Sequence, residues 1–560
     1  MDHDTPNSPL RGIKRLALGA LSGLLAGYAA IAVAELVSAA VRPESGPVIA
    51  VGGAAIDRTP PGVKDWAVRH FGTNDKLVLQ LGILGVLTLL ALILGMVATR
   101  WRLIGSLGVL AFGVVGALAA TGRPDSTSAT DALPSVVGAV AGAGLLYWLI
   151  GRLGSVPHPA EPRVAGTGDG VEAEARDGAE TAPTPGAGGS PVTDSTGWDR
   201  RGFILAATAA AAASTGSGLA GRALNGSQGQ NAVASRKGVV IPAPSSSAAP
   251  VPKGAALRID GISPFMTSNG DFYRVDTALV VPKVDATSWK LRIHGKGVTR
   301  ERTVTFDDLL KMPLIERNIT LTCVSNEVGG PYVGNARWIG VRLADLLEEC
   351  GVRPPSKGGP ADQLVARSVD GMTIGSPVED VMDGRDAMLA VGMNGQPLPF
   401  EHGFPVRMVV PGLYGYVSAC KWIEDIELTT FDAYDSYWVK RDWAQRAPIK
   451  TESRIDTPKP FGRPKAGTVM VAGVAWAQHR GIDKVEVRVD DGEWQQARLA
   501  AQDTRDTWRQ WSYAWDATKG GHTLTVRATD RTGETQTEKR TPTIPDGASG
   551  WHSVVVTVDA

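Results

Sequence analysis

The chain has 560 residues, too many for one hydrophobic core, so several domains are expected. Its 57 basic and 57 acidic side chains cancel, which excludes a general electrostatic pull toward nucleic acid. Three cysteines, Cys323, Cys350 and Cys420, are too few for a disulfide framework and lack the CxxC spacing of a zinc site.

Four apolar runs come first, at 16–41, 77–98, 103–120 and 133–150, each long enough to cross a bilayer as a helix. All are rich in Gly and Ala, which suits close helix contact. Arg11, Lys14 and Arg15 precede the first run, Arg100 and Arg102 separate the second from the third, and Arg152 follows the fourth; these ends are expected on the cytoplasmic side. Glu35, near the outer end of the first run, reads as a hydrated carboxylate ahead of an intramembrane site. Residues 153–200 lack apolar periodicity and read as a disordered cytoplasmic linker. The segment 201–221, behind the pair Arg200–Arg201, has the form of a twin-arginine export signal placed internally, or of a fifth spanning helix. On both readings the chain after residue 221 is expected outside the cytoplasmic membrane, beginning with a second linker at 222–255.

Residues 256–455 alternate strand-like segments ("WKLRIHG", "RNITLTCV", "FPVRMVVPG") with a short helix, "VRLADLLEECGV", and predict a mixed α+β domain. Residues 465–560 show only strands with regularly spaced turns and predict an all-β, immunoglobulin-like sandwich. The predicted fold is thus a helical membrane region, then an α+β domain, then a β-sandwich.

Cys323 follows an apolar run and precedes a Gly-rich turn. Its spacing leaves three roles open: buried filling, nucleophile or soft ligand. A second segment, 393–422, gathers His402, Arg407, Ser418 and Lys421 around several glycines, the residue types that hold a dense anion through charge-assisted bonds and backbone N–H groups. Neither a GxGxxG nor a GxxxxGK[ST] frame is present.

The segments "DFYRVDTALVVP", "LTCVSNEVGG", "NARWIGVRLADLL", "MNGQPLPFEHGFPVRMVVPG" and "SACKW" together resemble the sulfite oxidase family of molybdopterin enzymes, and residues 467–560 resemble its C-terminal dimerisation domain. The resemblance implies a molybdenum–molybdopterin cofactor with Cys323 as the metal ligand. It implies cofactor contacts from His402, Arg407 and Ser368 and from the loop holding Ser418, Ala419, Cys420 and Lys421. Arg274 resembles a basic residue at the entrance of the metal pocket, and Trp443 occupies the position nearest the family's pocket tyrosine. Asn326 is followed by Glu327 and Val328 where animal and plant members carry basic residues; Arg337, Arg441 and Arg454 are the groups expected to compensate.

The implied function is oxygen-atom transfer on a small sulfur-containing substrate. The alternatives are a sulfoxide or N-oxide reductase on the same cofactor, a metal-free thiol enzyme using Cys323 and His402, and a non-catalytic envelope binding protein. None of the eight histidines lies in an apolar run and no CxxCH occurs, so no haem is expected in this chain. A separate cytochrome, quinone-linked protein or cupredoxin is then required as electron partner, and two copies are expected to pair through the sandwich.

Overall fold

The computed structural model describes residues 9–60, 63, 66, 67, 70, 71, 75–123, 126, 128–154 and 200–560. Most of the linker expected at 153–200 lies outside these residues. The chain divides into two compact units, one of Met1–Val48, Leu81–Leu118 and Ala132–Arg222, the other of Ile49–Gln80, Ala119–Asp131 and Ala223–Ala560.

The first unit is helical. It is built from α1 (Pro9–Val41), most of α3 (Asp75–Ala98) and α4 (Arg102–Thr121), α5 (Leu133–Gly154) and the first part of α6 (Arg200–Gly238); α2 (Pro47–Arg58) belongs mainly to the second unit. Gly19 and Gly23 of α1 meet Gly95 of α3 so closely that a methyl group at any of the three would strike the facing backbone. Arg15 donates to Thr99 O at 2.8 Å, and Arg102 stacks 4.0 Å from the Tyr147 ring. Among the described residues, five helices are long and apolar enough to cross a membrane: Gly12–Val41, Lys76–Ala98, Arg102–Thr121, Ala129–Leu153 and Gly202–Gly238.

One expectation fails here. Residues 222–238, read as the start of a linker, continue α6 without a break, and Arg236 pins the end of that helix by donating to Leu398 O at 2.6 Å and Pro397 O at 2.8 Å. The Ala, Ser, Gln and Asn of this stretch give no apolar stripe, so the helix is invisible to periodicity.

The second unit carries two five-stranded sheets. One has the order β2-β1-β10-β5-β6, with β1 (Lys290–Gly295), β2 (Arg302–Thr305), β5 (Gln363–Ser368), β6 (Thr373–Pro377) and β10 (Ile423–Thr429); only β1 and β10 are parallel. The other runs β3-β4-β7-β8, with β3 (Leu314–Thr322), β4 (Val333–Arg342), β7 (Met388–Met393), β8 (Gln396–Pro397) and β9 (Arg407–Val409) on β7. Short helices α7 (Phe306–Lys311), α8 (Leu343–Glu349), α9 (Val378–Met382) and α10 (Gly415–Ser418) join them. Thr305 and Asp308 form a reciprocal cap on α7.

The C-terminal part has two four-stranded antiparallel sheets. The first is β11 (Glu452–Thr457), β12 (Gly467–Trp476), β16 (Arg509–Ala517) and β15 (Arg498–Leu499); the second is β14 (Gln495–Gln496), β13 (Ile482–Val489), β17 (Gly520–Asp530) and β18 (His552–Val558). Val471, Val485, Trp511, Leu524 and Val556 are buried in one cluster drawn from both sheets. β11 begins this body at 452, ahead of the expected start at 465.

The two β-rich parts meet at the edge strand β3. Thr320 N donates to Asp506 O at 2.9 Å, and Gln478 Nε2 donates to Thr320 O at 3.0 Å and Thr322 Oγ1 at 2.9 Å. The C-terminal body thereby covers an edge that would otherwise expose unpaired backbone. It also fixes the strand end from which Cys323 emerges.

Candidate active site

Cys323 is the first residue after β3 and is buried, its N–H donating to Tyr332 O at 2.9 Å. The hairpin loop behind it is closed by Asn326, whose Oδ1 accepts from Tyr332 N at 2.7 Å, and by Arg454, which donates to Gly330 O at 2.7 Å. The thiol therefore stands on a held loop at the end of a strand, the geometry a ligand position needs.

The residues of the second segment reach the same cavity by a different route. Gly403 has φ +107°, and a Cβ there would lie 3.0 Å from that of Arg407 and 3.1 Å from that of Lys421. Only glycine lets these three stretches of backbone converge. Met408 N donates to Cys420 O at 2.8 Å, which ties β9 to the 418–422 loop. The result is a cavity of 380 Å³ lined by Cys323, Ser368, His402, Arg407, Ala419, Cys420, Lys421 and Trp443, together with Tyr273, Asp276, Asp370, Met372, Tyr416 and Trp438.

His402 places Nε2 2.9 Å from Asn269 O, which puts its proton on that nitrogen, and burial pushes its pKa down to about 4, so the ring is neutral. Arg407 is 5% exposed and lies 5.0 Å from the Trp338 ring; its Nη1 donates to His402 O at 3.2 Å. Burial lowers its pKa to about 10, and its Nε finds no hydrogen-bond acceptor. No carboxylate pairs with it among the described residues. Lys421 donates to Asp276 at 2.9 Å and to Glu401 O at 3.1 Å; burial depresses its pKa against the pull of Asp276. Burial alone would raise the Asp276 pKa, but Lys421 and Lys76 hold it well below the usual carboxylate range. Burial raises the Asp370 pKa against hydrogen bonds from Ser368 and Met372 N and the weaker pull of Lys421. Tyr273 is pushed above the usual phenol range by burial and then by the neighbouring Cys323 sulfur. Trp443 is buried with its indole N–H unpartnered, its ring 5.3 Å from that of Tyr416 and 5.6 Å from that of Trp438.

Other expected residues lie elsewhere. Arg337 does not line the cavity: its Nε donates to Asn318 Oδ1 at 3.0 Å, because it alternates along β4 with the inward Trp338. The Ser418 hydroxyl is spent on Leu413 O and Tyr414 O. Arg274 is 34% exposed and stands behind the cavity, 3.5 Å from Asp276. Arg441 and Arg454 are structural: Arg441 lies over the Tyr437 ring, and Arg454 clamps Gly330 O, Asp456 and Ser263. Glu327 is exposed and does not line the cavity. Cys350 and Cys420 are buried thiols with no disulfide between them.

Tyr273, Asp276, Asp370, Met372, Tyr416 and Trp438 escaped sequence reasoning. Tyr273 precedes Arg274 and Asp276 follows it by two positions in "DFYRVD", so the polar groups of that one segment are the signal that could have found them.

Residues 278–438 match the oxidoreductase molybdopterin binding domain. The mitochondrial sulfite oxidase of Rattus norvegicus is 29% identical over 310 residues, covering 46% of this chain and 56% of that protein, so the chain spans about half the length of the curated relatives it matches. The uncharacterized oxidoreductase YuiH of Bacillus subtilis (strain 168) is 32% identical over 162 residues, covering 29% of this chain and 75% of that protein. Among solved structures, the sulfane dehydrogenase SoxCD of Paracoccus pantotrophus is 24% identical with a TM-score of 0.45, covering 53% of this chain and 84% of that one. The chain belongs to the sulfite oxidase family of molybdopterin-binding oxidoreductases.

Proposed function

We propose that this is a membrane-anchored molybdenum-cofactor oxidoreductase that transfers an oxygen atom on a small sulfur-containing substrate outside the cytoplasmic membrane. The observation that carries the reading is Arg407: a buried cation with no acid beside it and an idle Nε, in the same cavity as the Cys323 thiol. A desolvated, unpaired guanidinium is costly unless an anionic group completes it, so the cavity fits an anionic cofactor. Cys323 would supply a soft thiolate to molybdenum, and Arg407, Lys421, Ser368 and the neutral His402 would hold the pterin. When bound, the group supplies oxygen-atom exchange coupled to a two-electron change at the metal. The chain's own part is to orient that group, exclude water and place the Tyr273 hydroxyl beside Cys323.

Membrane anchoring is supported by where the connections fall. On a path of five crossings, the segments after one, three and five crossings share a side of the bilayer, and these are Ile49–Gln80, Ala119–Asp131 and Ala223–Ala560, which form one unit. Leu81, Leu89, Leu103, Leu107 and Leu118 also leave their apolar side chains exposed, as lipid-facing helices do. The positive charges at the opposite helix ends favour an extracytoplasmic position for that shared side. The two-sheet C-terminal body is read as an immunoglobulin-like dimerisation domain, with Phe461, 83% exposed, and Val555 beside it as its apolar surface. A separate electron carrier completes the reaction.

A second reading, reduction of an uncharged sulfoxide or N-oxide, is favoured by one wall of the cavity. Met372, Ile374, Trp438 and Trp443 are apolar there, and the buried Trp443 N–H is a donor awaiting a neutral oxygen acceptor. The metal-free thiol alternative is weakened because burial pushes the His402 pKa down to about 4, which makes the ring a poor base for a thiol. The deciding experiment is metal and pterin analysis of the purified chain, followed by dye-linked assays with sulfite and with methionine sulfoxide. Absence of molybdenum from native material would end the proposal.

A further inference from the structure

The cavity has a wall that the family match does not include. Ile56, Thr59, Lys76 and Leu79 line it, all from the stretch that runs from α2 into the start of α3. That stretch is fastened to the catalytic body at two places. Tyr437 donates its hydroxyl to Asp57 at 2.6 Å, and Arg441 donates to Asp57 O at 3.3 Å. Lys76 ion-pairs with Asp276, the carboxylate that also holds Lys421, and donates to Ala278 O.

Charge makes this more than a contact. Lys76, Lys421 and Arg407 bring three cations to the cavity wall, against one carboxylate that is firmly ionised, Asp276. Asp370 is the other carboxylate on the wall, and burial raises its pKa. The wall carries more basic than acidic side chains, three against two, as an anionic phosphate group requires, and Lys76 is one of the three. Removing Lys76 leaves Asp276 to pair with Lys421 and takes one positive charge from the wall.

We propose that Lys76 is a positioning residue of the cofactor pocket, so that the start of the second apolar helix completes the site for the anionic, phosphate-bearing end of the cofactor. This rests on the reading of the cavity as a molybdopterin pocket. It assigns a binding role to a part of the chain outside the residues that match the family.

The test uses the full-length chain purified in detergent with its cofactor, comparing wild type, Lys76→Met and Lys76→Arg. Pterin and molybdenum retained per chain are followed during dialysis at low and high salt. The expected result is cofactor loss about five- to tenfold faster for Lys76→Met, a gap that narrows at high salt, with Lys76→Arg within about twofold of wild type. Equal loss rates for a folded Lys76→Met chain and wild type would overturn the proposal, as would a Lys76→Arg chain that loses cofactor as fast as Lys76→Met. If Lys76→Met does not fold, Lys76→Gln takes its place under the same criteria. A wild-type chain without molybdenum would instead overturn the cofactor reading beneath it.

Discussion

Asp276 and Lys421 form a buried ion pair, the Lys421 Nζ lying 2.9 Å from a carboxylate whose side chain is only 3% exposed. Because Asp276 also answers Lys76, the two partners are not equivalent. Asp276→Asn removes the carboxylate that the two shielded ammonium groups share and is expected to cost about 3–5 kcal/mol of folding stability. Lys421→Met leaves Asp276 paired with Lys76 and is expected to cost clearly less. Urea unfolding of both variants measures the difference; equal costs would show that Lys76 takes no part.

Cys323→Ser removes the soft donor while preserving shape. Molybdenum content and dye-linked activity are expected to fall more than about a hundredfold, beyond the losses typical of outer-shell partners. The unfolding midpoint should stay close to wild type, because the loop is held by Asn326 and Arg454 through other atoms. Full activity in this variant contradicts the ligand assignment.

Arg407→Met is expected to move two quantities in opposite directions. Without its cofactor the variant should be as stable as wild type or more so, by about 1–4 kcal/mol, since a desolvated cation is replaced by an apolar chain. Cofactor retention should nonetheless collapse. A variant that loses stability yet keeps its pterin would assign Arg407 to the scaffold alone.

His552 sits at the joint between the two β-rich parts and accepts a hydrogen bond from Ile455 N at 3.0 Å. Burial, reinforced by Arg454, lowers its pKa from 6.5 to about 4. Between those values the unfolded chain binds the proton more readily. Stability is therefore full above pH 6.5 and declines as pH falls through 4, by up to about 1.4 kcal/mol per pH unit from this residue. His552→Asn keeps an acceptor without a titrating proton, so the acid decline should be shallower by one proton in unfolding curves taken at several pH values. An unchanged slope would remove His552 from the account.

Distance along the chain decides which parts of the molecule were legible in the sequence. Cys323, His402, Arg407 and Lys421 were legible because each lies in a compact segment whose glycines and polar groups crowd together; all four line the cavity. Arg337 misled because a strand's faces alternate, and one position decides between the Arg407 side and the outside. Lys76 and Asp57 were illegible for a different reason. They meet Asp276 and Tyr437 across hundreds of intervening residues, and no local periodicity records such a meeting. The fold shows the same division. Apolar helices and alternating strands announced themselves, whereas the polar extension of α6 to Gly238 is held by contacts of Arg236 that no composition reveals.

The place of Lys76 on the cavity wall, with Asp57 tied to Tyr437 nearby, has a consequence for biogenesis. On the proposed topology these residues cross the bilayer with the earliest part of the nascent chain, long before the catalytic body exists. A body exported already folded through a twin-arginine route would leave the cytoplasm with one side of its pocket open to cofactor loading. Docking against the waiting loop would then seal that side, making maturation a two-stage process in which insertion of the metal group precedes closure.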